Sequence, residues 1–432
     1  MVFYVIVAGV SGLVTFGLSI LIYRLSHRFR LYPKIRERDV HTRPTPRLGG
    51  IAMFLGILLA FGVGAFLPPL ALVYASPGKI LAILGAALLI VLIGVADDIW
   101  DLDWLTKLAG QMIAAFLLAW QGIQISFLPI PNLLVIGSSF MSLVITVFLI
   151  VLAMNAINFI DGLDGLVAGV ALIANVAFFI YTYSVSYGPT NNSDYFNLAQ
   201  FISAVLIGAC VGFLPLNWHP ARLFMGDAGA LLVGMLMAAS TATVTSNLDP
   251  EQIIGGGASG SALGASGLIG GFIPILLPFA ILIVPLLDFV LAVFRRLRAG
   301  KSPFSADRKH LHHRLLDMGH THFHAVLIFY AWTAVVSASG LLFLFVPDAR
   351  WAVLFLVVGL VACTIVTLAP LSRRKAVEAA VQSASEETTA DAAVASFDPL
   401  DAAADGRSTD AETNDTQAAR ALKRLRQKEK SS

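Results

Sequence analysis

The residues of this chain best suited to chemistry form four polar clusters, each at the end of a long apolar stretch. The first is GVADDIWDLD, which places four carboxylates, Asp97, Asp98, Asp101 and Asp103, within seven residues. Carboxylates this close together repel one another unless a cation lies among them. Oxygen-rich sites suit Mg²⁺, which commonly binds one or two carboxylates together with substrate phosphates. The cluster indicates either a magnesium site or an ordinary acidic loop.

The second cluster, NAINFIDGLDG, interrupts an apolar stretch with two amides and two carboxylates. On a helix, Asn155, Asn158 and Asp161 share one face through their i, i+3 spacing, and Asp164 follows. The glycines allow a ligand to approach the backbone closely. A turn between helices also uses Asn, Asp and Gly but does not need so many, and we therefore predict ligand binding here.

The third cluster runs through NWHPARLFMGDAG and contains Asn217, Phe224 and Asp227. Asp227 lies at a helix boundary, where a carboxylate often serves only as the N-cap. It could equally complete a cation site together with Asp97 and Asp98. The residues alone leave both interpretations open.

The fourth cluster, Arg295 to His324, holds seven Lys and Arg residues and six of the nine histidines. Basic groups and imidazoles that face an acidic metal site are what a diphosphate substrate requires. A histidine there could act as an acid, a base or a hydrogen-bond donor. A zinc site is disfavoured, because no cysteine or compact carboxylate partner lies beside the histidines. In this cluster, His312 is the candidate catalytic histidine, and His310, His313 and Arg314 are candidate substrate-binding residues.

Two smaller features accompany these clusters. Asp288 lies two turns inside an apolar stretch, where ionisable groups are functional candidates, although a salt bridge to Arg295 or Arg296 would also explain it. The segment HTRPTPRLGG adds Arg43 and Arg47 ahead of the next apolar stretch. These arginines could bind a phosphate or simply mark the inner face of a membrane.

Helices across a membrane must position these clusters. Of the 432 residues, 57% are hydrophobic and 13% are charged, whereas soluble domains carry about 25% charged residues. A membrane-spanning helix needs about 20 apolar residues. We therefore predict an all-α polytopic membrane protein with eleven spans. These spans are residues 2–22, 48–70, 79–96, 107–121, 138–156, 163–184, 199–216, 228–246, 267–294, 325–346 and 350–370.

The distribution of charge predicts the orientation, because cytoplasmic loops carry an excess of Lys and Arg. Eight such residues lie between Arg24 and Arg47, which places the N-terminus outside and, after eleven crossings, the C-terminus in the cytoplasm. The loops then assigned outside contain only Lys79 and Arg350 as basic residues. All four clusters therefore fall on the cytoplasmic face of the plasma membrane.

Composition divides the chain at about residue 370. Residues 1–370 are predicted to form one helical membrane domain, since only helices or closed barrels satisfy backbone groups in lipid. Residues 371–432 are rich in Ala, Ser, Thr, Asp and Glu and end in the basic sequence ALKRLRQKEK. With almost no large apolar side chains, this tail is predicted to be disordered.

Five segments of the chain together resemble the membrane-bound polyprenyl-phosphate N-acetylhexosamine-1-phosphate transferases. In chain order they are PTPRLGG, GVADDIWDLD, NAINFIDGLDG, NWHPARLFMGDAGALLVG and RKHLHHRLLDMG. The resemblance implies that a polyprenyl phosphate attacks the β-phosphate of a UDP-N-acetylhexosamine and releases UMP. It implies Mg²⁺ as the cofactor, with Mn²⁺ as the other suitable cation. The sequence HLHHR in place of three consecutive histidines resembles the bacterial UDP-GlcNAc branch. Phospho-N-acetylmuramoyl-pentapeptide transferase is the alternative within the family.

The resemblance also implies roles for individual residues. Asp227 becomes the direct Mg²⁺ ligand, and Asp97 and Asp98 become the acidic pair at the metal and the lipid phosphate, with Asp98 as a possible base. The positions that match the nucleotide site are Asp161, Asp164, Asn217 and Phe224. Those that match the diphosphate and sugar region are His310, His312, His313 and Arg314. The implied partners are the nucleotide sugar, the lipid carrier and membrane lipids, without nucleic acid; whether the chain forms a homodimer is left open.

A cation-coupled transporter is the competing class of function. Transporters place their polar groups near the middle of the bilayer, in broken helices. Here the polar clusters lie at the inner ends of the spans, and the loops assigned outside offer no matching cluster. The sequence therefore favours an enzyme at the membrane interface.

Overall fold

The computed structural model describes residues 1–29, 45–126, 138–186, 197–247, 318–346 and 348–369, together with residues 294, 297, 298, 300, 315 and 316. All regular secondary structure in these parts is helical. We number the α-helices in chain order. They are α1 (Val2–Phe29), α2 (Gly49–Gly64), α3 (Pro77–Trp100), α4 (Trp104–Trp120), α5 (Ser139–Ile160), α6 (Leu166–Ser186), α7 (Asn197–Asn217), α8 (Gly226–Asn247), α9 (His322–Phe345) and α10 (Ala349–Ala369).

Eight helices in the described parts are long and apolar enough to cross a membrane, namely α1, α3 and α5–α10. The helix α2 with the 3₁₀-helix Pro68–Ala75 makes a ninth if this bent pair is one span. Ten of the eleven predicted spans coincide with helices of the structure, and span 267–294 lies outside the described residues, apart from residue 294. The helices confirm a multi-pass, all-helical membrane protein; the exact span count and the orientation stay predictions.

Two elements differ from the predicted spans. The second span is predicted to reach residue 70, but α2 ends at Gly64 and the chain then bends by 111° into Pro68–Ala75. Pro68 and Pro69 explain this end, because proline lacks the N–H that continues a helix. The fourth predicted span corresponds to α4, which has 17 residues and is shorter than the eight span-length helices.

Helix α8 is the most buried of the span-length helices in the described parts, because 94% of an 18-residue apolar stretch within it is buried inside the protein. It packs against α2, α3, α5 and α7. Close approach at its first turns depends on glycine: a Cβ at Gly94 of α3 would overlap Ala228, and one at Gly50 of α2 would overlap Gly229. The ends of α2 and α3 can therefore lie directly against the start of α8.

The outer surfaces of several helices remain apolar. On α4, large side chains including Met112, Ile113 and Phe116 are about half exposed. On α10, only 11% of an 18-residue apolar stretch is buried inside the protein. Such surfaces would be unfavourable in water and are suited to lipid, which supports the assignment to a membrane.

Candidate active site

Two carboxylates and one ammonium group meet where α3, α4 and α8 converge. Lys107 Nζ on α4 lies 2.8 Å from Asp97 Oδ2 on α3 and 3.0 Å from Asp227 Oδ2 on α8. Asp97 is only 3% exposed, whereas the side chains of Lys107 and Asp227 are 28% and 27% exposed. The cluster is therefore buried on one side and accessible on the other, as a site that receives a ligand must be.

The turn between α3 and α4 brings Lys107 back to Asp97. Helix α3 ends at Trp100. The next residue, Asp101, adopts a left-handed conformation with φ of 55°, and α4 begins at Trp104. Asp103 is the N-cap of α4, because its carboxylate accepts hydrogen bonds from the backbone amides of Leu105 and Thr106. The Thr106 hydroxyl and amide also hold the pKa of Asp103 below its usual value. Asp103 therefore stabilises the start of α4, whereas Asp97 and Asp98 lie in the last helical turn of α3.

Asp227 lies within the first turn of α8, not at the position before the helix. Its Oδ1 atom accepts a hydrogen bond of 3.1 Å from Asn158 Nδ2, and its Oδ2 atom accepts one from Lys107. Gly226, at φ of 70°, gives the backbone conformation that starts the helix. The carboxylate of Asp227 therefore faces α4 and α5, which favours the cation-site interpretation over a helix cap.

The segment PTPRLGG pairs with the chain that leads into α8. Phe224 N–H donates to the Pro46 carbonyl at 2.8 Å, Gly49 N–H to the Phe224 carbonyl at 3.0 Å, and Gly50 N–H to the Met225 carbonyl at 2.9 Å. This pairing brings Arg47 to the site, where its charge attracts the Asp98 carboxylate. The structure therefore brings Arg47, Asp97, Asp98 and Asp227 together.

The residues present fit an oxygen-bound cation. Asp97 Oδ1 and Asp98 Oδ2 are buried and accept no hydrogen bond within the described residues. Buried carboxylate oxygens without a donor are costly unless a cation neutralises them. Within the same residues, no three His, Cys, Asp or Glu side chains form a complete metal site. The arrangement suits Mg²⁺, which needs few protein ligands when a substrate phosphate supplies the others.

The two asparagines of the second cluster contact different helices. Asn158 donates to Asp227 of α8, as described above, while Asn155 Nδ2 donates to Gln111 Oε1 on α4 at 2.6 Å. Both asparagines lie on α5, one turn apart. The predicted helical face is confirmed for these two asparagines but is wrong for Asp161, because α5 ends at Ile160. Asn155 is directed at α4, and only Asn158 at a carboxylate of the cluster.

Asp164 and Asn217 connect the loop after α5 to the loop after α7. Asp164 Oδ2 lies 2.8 Å from His219 Nδ1 and accepts a 3.0 Å hydrogen bond from the backbone of Ala221. Asn217 accepts from the backbone N–H of Gly165 and donates to the Leu223 carbonyl, both at 3.0 Å. Both side chains are buried. Two further residues predicted for the nucleotide site, Asp161 and Phe224, are half-buried in these loops.

Comparison with known proteins identifies the family. Residues 80–245 match the sequence model described as glycosyl transferase family 4. The chain is 39% identical over 368 residues to decaprenyl-phosphate N-acetylglucosaminephosphotransferase of Mycolicibacterium smegmatis, covering 84% of this chain and 87% of the relative. The Mycobacterium leprae protein of the same name is 40% identical, with 84% and 89% covered. The chain belongs to glycosyl transferase family 4.

A more distant relative also aligns along most of the chain. The probable undecaprenyl-phosphate N-acetylglucosaminyl 1-phosphate transferase of Bacillus subtilis is 30% identical over 337 residues, covering 77% of this chain and 82% of that protein. The family 4 match at residues 80–245 includes the ends of α3, α5 and α8, which carry Asp97, Asn158 and Asp227. The matched segment therefore contains both carboxylates that pair with Lys107, and Lys107 itself.

Six of the predicted site residues lie outside the described residues, so the structure does not test their positions. They are Arg43, Asp288, His310, His312, His313 and Arg314. Within the described residues, the candidate site therefore comprises the carboxylates of α3 and α8, the amides of α5, and the basic groups Arg47 and Lys107.

Two residues at this candidate site, Lys107 and Gln111, were not predicted from the sequence. Lys107 is the one charged residue within α4, and Gln111 follows it by one helical turn. An ionisable residue in a membrane helix is a functional candidate by default. That signal is present in the sequence, but the predicted span starts at residue 107, which makes Lys107 look like an ordinary boundary residue.

Proposed function

We propose that this protein transfers N-acetylglucosamine-1-phosphate from UDP-N-acetylglucosamine to a polyprenyl phosphate and releases UMP. Membership of family 4 supports this proposal, as do relatives named for N-acetylglucosamine phosphate transfer to decaprenyl or undecaprenyl phosphate. The observation that carries it is the cluster of Asp97, Lys107 and Asp227 at the converging helix ends. A lipid phosphate and a soluble nucleotide sugar can meet at such a position.

The proposed reaction is a displacement at phosphorus. An oxygen of the polyprenyl phosphate forms a bond to the β-phosphorus of the donor, and the bond from that phosphorus to the bridging oxygen breaks. The electron pair stays on the bridging oxygen, which leaves as part of UMP. Such transfers depend on charge neutralisation and in-line positioning more than on covalent help from the protein.

The basic groups of the site suit the diphosphate. The Lys107 ammonium is partly exposed and can donate to a phosphate oxygen while Asp97 and Asp227 hold it in place. The charge of Arg47 acts on Asp98 and adds a second positive charge at the same helix ends. Asp98, with one buried oxygen that accepts no hydrogen bond from the described residues, suits the role of a base toward the lipid phosphate.

We propose Mg²⁺ as the cofactor, with Mn²⁺ as an alternative cation. Asp227, Asp97 and Asp98 would hold it together with substrate phosphate oxygens, because Asp97 and Asp227 both contact Lys107, and Asp97 and Asp98 each have an oxygen with no donor within the described residues. When bound, the cation supplies neutralisation of the charge that develops on the phosphate oxygens. The protein groups then orient the two substrates around these carboxylates.

We further propose that the site lies on the cytoplasmic face of the plasma membrane. The excess of Lys and Arg before α2 supports this orientation, since positively charged loops remain inside. The partners would be the nucleotide sugar, the polyprenyl phosphate and membrane lipids.

A transporter is disfavoured, because Asp97, Lys107 and Asp227 all lie in the terminal turns of their helices.

A donor panel tests the proposed function. Purified protein is incubated with polyprenyl phosphate, Mg²⁺ and either UDP-N-acetylglucosamine, UDP-N-acetylgalactosamine or UDP-N-acetylmuramoyl-pentapeptide, and UMP is measured. We expect UMP only when both substrates are present, with kcat/KM for UDP-N-acetylglucosamine at least about 10²-fold above that for the pentapeptide donor. UMP release from the pentapeptide donor alone would make the protein a muramoyl-pentapeptide transferase.

A further inference from the structure

The position of Lys107 depends on where the backbone of α4 lies. Its ammonium must reach between Asp97 and Asp227, which belong to two other helices. A lysine side chain is long and flexible, so its own rotamers do not fix this position. Contacts elsewhere on α4 must therefore hold the helix in register with α3 and α8.

Gln111 provides such a contact one turn after Lys107. It is 3% exposed, and its Oε1 atom accepts a 2.6 Å hydrogen bond from Asn155 Nδ2 on α5. Asn155 Nδ2 also donates to the Val151 carbonyl at 2.8 Å, which fixes the orientation of the amide. Buried amides are costly unless they are paired, so this contact disfavours any sliding of α4 along α5.

Helix α5 also holds the opposite partner of Lys107. Asn158, three residues after Asn155, donates to Asp227 Oδ1 at 3.1 Å. Residues three apart on a helix are separated by about 4.5 Å along its axis and lie on the same side. One rigid helix therefore contacts α4 through Asn155 and α8 through Asn158.

We propose that Gln111 and Asn155 are positioning residues that set the register of α4 and so place Lys107 between Asp97 and Asp227. Neither side chain is assigned a contact with the reacting atoms. For Asn155, this role replaces the predicted contact with substrate. The kinetic part of the proposal rests on the proposed transferase function.

The substitution Gln111→Leu tests the pair by removing the acceptor of Asn155. We expect kcat to fall about 10²-fold, because a displacement of about 1 Å in a catalytic group can cost that much. KM for UDP-N-acetylglucosamine should change less than about threefold, since groups that contact the donor remain. A second readout needs no turnover: N-hydroxysuccinimide acetate should acylate Lys107 faster in the variant, as followed by mass spectrometry.

Gln200→Leu is the matched control. Gln200 is also fully buried and donates to the Thr182 carbonyl at 3.0 Å and to Ser186 Oγ at 2.7 Å, contacts between α7 and α6. Its loss should lower thermal stability as Gln111→Leu does. It should leave kcat and the acylation of Lys107 at the level of the unsubstituted protein, because it does not contact α4.

The exchange of the two amides tests the same contact without an apolar side chain. Gln111→Asn shortens one partner and should lower kcat, whereas Gln111→Asn with Asn155→Gln keeps the summed length and should restore kcat to within about fivefold. The double variant remains informative if Gln111→Leu does not fold.

Equal kcat and equal Lys107 acylation in Gln111→Leu and Gln200→Leu would overturn the proposal. Absence of UMP release by the unsubstituted protein would instead refute the transferase function, while the acylation comparison would still decide the positioning role.

Discussion

Replacing Asp227 by asparagine is expected to lower kcat by at least about 10³-fold while the protein still folds and inserts into membranes. Asparagine keeps the size of the side chain, and its oxygen can still accept a hydrogen bond from Asn158 or Lys107. The negative charge is lost, however, and with it the group that faces both Lys107 and the proposed cation. The measurement is UMP release at saturating substrates, together with the thermal midpoint of unfolding.

Asp348→Asn is the control for this prediction. Asp348 is about half exposed and lies in the turn between α9 and α10, where it pairs with Arg350. Its substitution should leave kcat unchanged. If Asp227→Asn kept more than about a tenth of the activity of the Asp348 variant, Asp227 would not be a ligand of an essential cation.

Replacing Lys107 by methionine is expected to lower kcat by about 10²- to 10³-fold. Methionine keeps much of the apolar stem of lysine but cannot donate to Asp97, Asp227 or a phosphate oxygen. The remaining carboxylates then repel one another and the incoming diphosphate. Lys107→Arg should retain more activity than Lys107→Met, since the charge remains although its shape differs.

Lys79→Met is the matched substitution at the opposite end of α3. It removes the same charge from a position outside the cluster and should leave kcat within about twofold. Steady-state kinetics of the three variants, measured alongside thermal unfolding, separate a loss of chemistry from a loss of folding. Equal activities of Lys107→Met and Lys79→Met would show that the ammonium at the helix ends has no role in transfer.

The helices could be predicted from the sequence because lipid imposes a simple requirement on apolar length. Ten predicted spans coincide with helices, and the main error, at residues 65–70, comes from counting apolar residues through Pro68 and Pro69. Hydropathy does not take into account that proline lacks the backbone N–H needed to continue a helix. The start of α8 could also be predicted, because Gly226, Asp227 and Gly229 lie at the beginning of an apolar stretch.

The contacts between helices could not be predicted in the same way. Lys107 and Asp227 are 120 positions apart, and nothing in the local sequence indicates that α4 lies beside α8. For the same reason, the hydrogen bond of Asn155 to Gln111 could not be predicted, while substrate binding by Asn155 stays a prediction. The four carboxylates from Asp97 to Asp103 form one motif in the sequence, but the turn at Asp101 separates a helix cap from the site.

The most direct test of the proposed transfer follows the two phosphorus atoms of the donor separately. UDP-N-acetylglucosamine labelled at the β-phosphate is incubated with polyprenyl phosphate and the protein, and a second reaction uses donor labelled at the α-phosphate. We predict that β-label moves into the lipid extract and that α-label remains in water as UMP. If the β-label instead remained in water as UDP, the protein would transfer the sugar without its phosphate, which would contradict the proposed function.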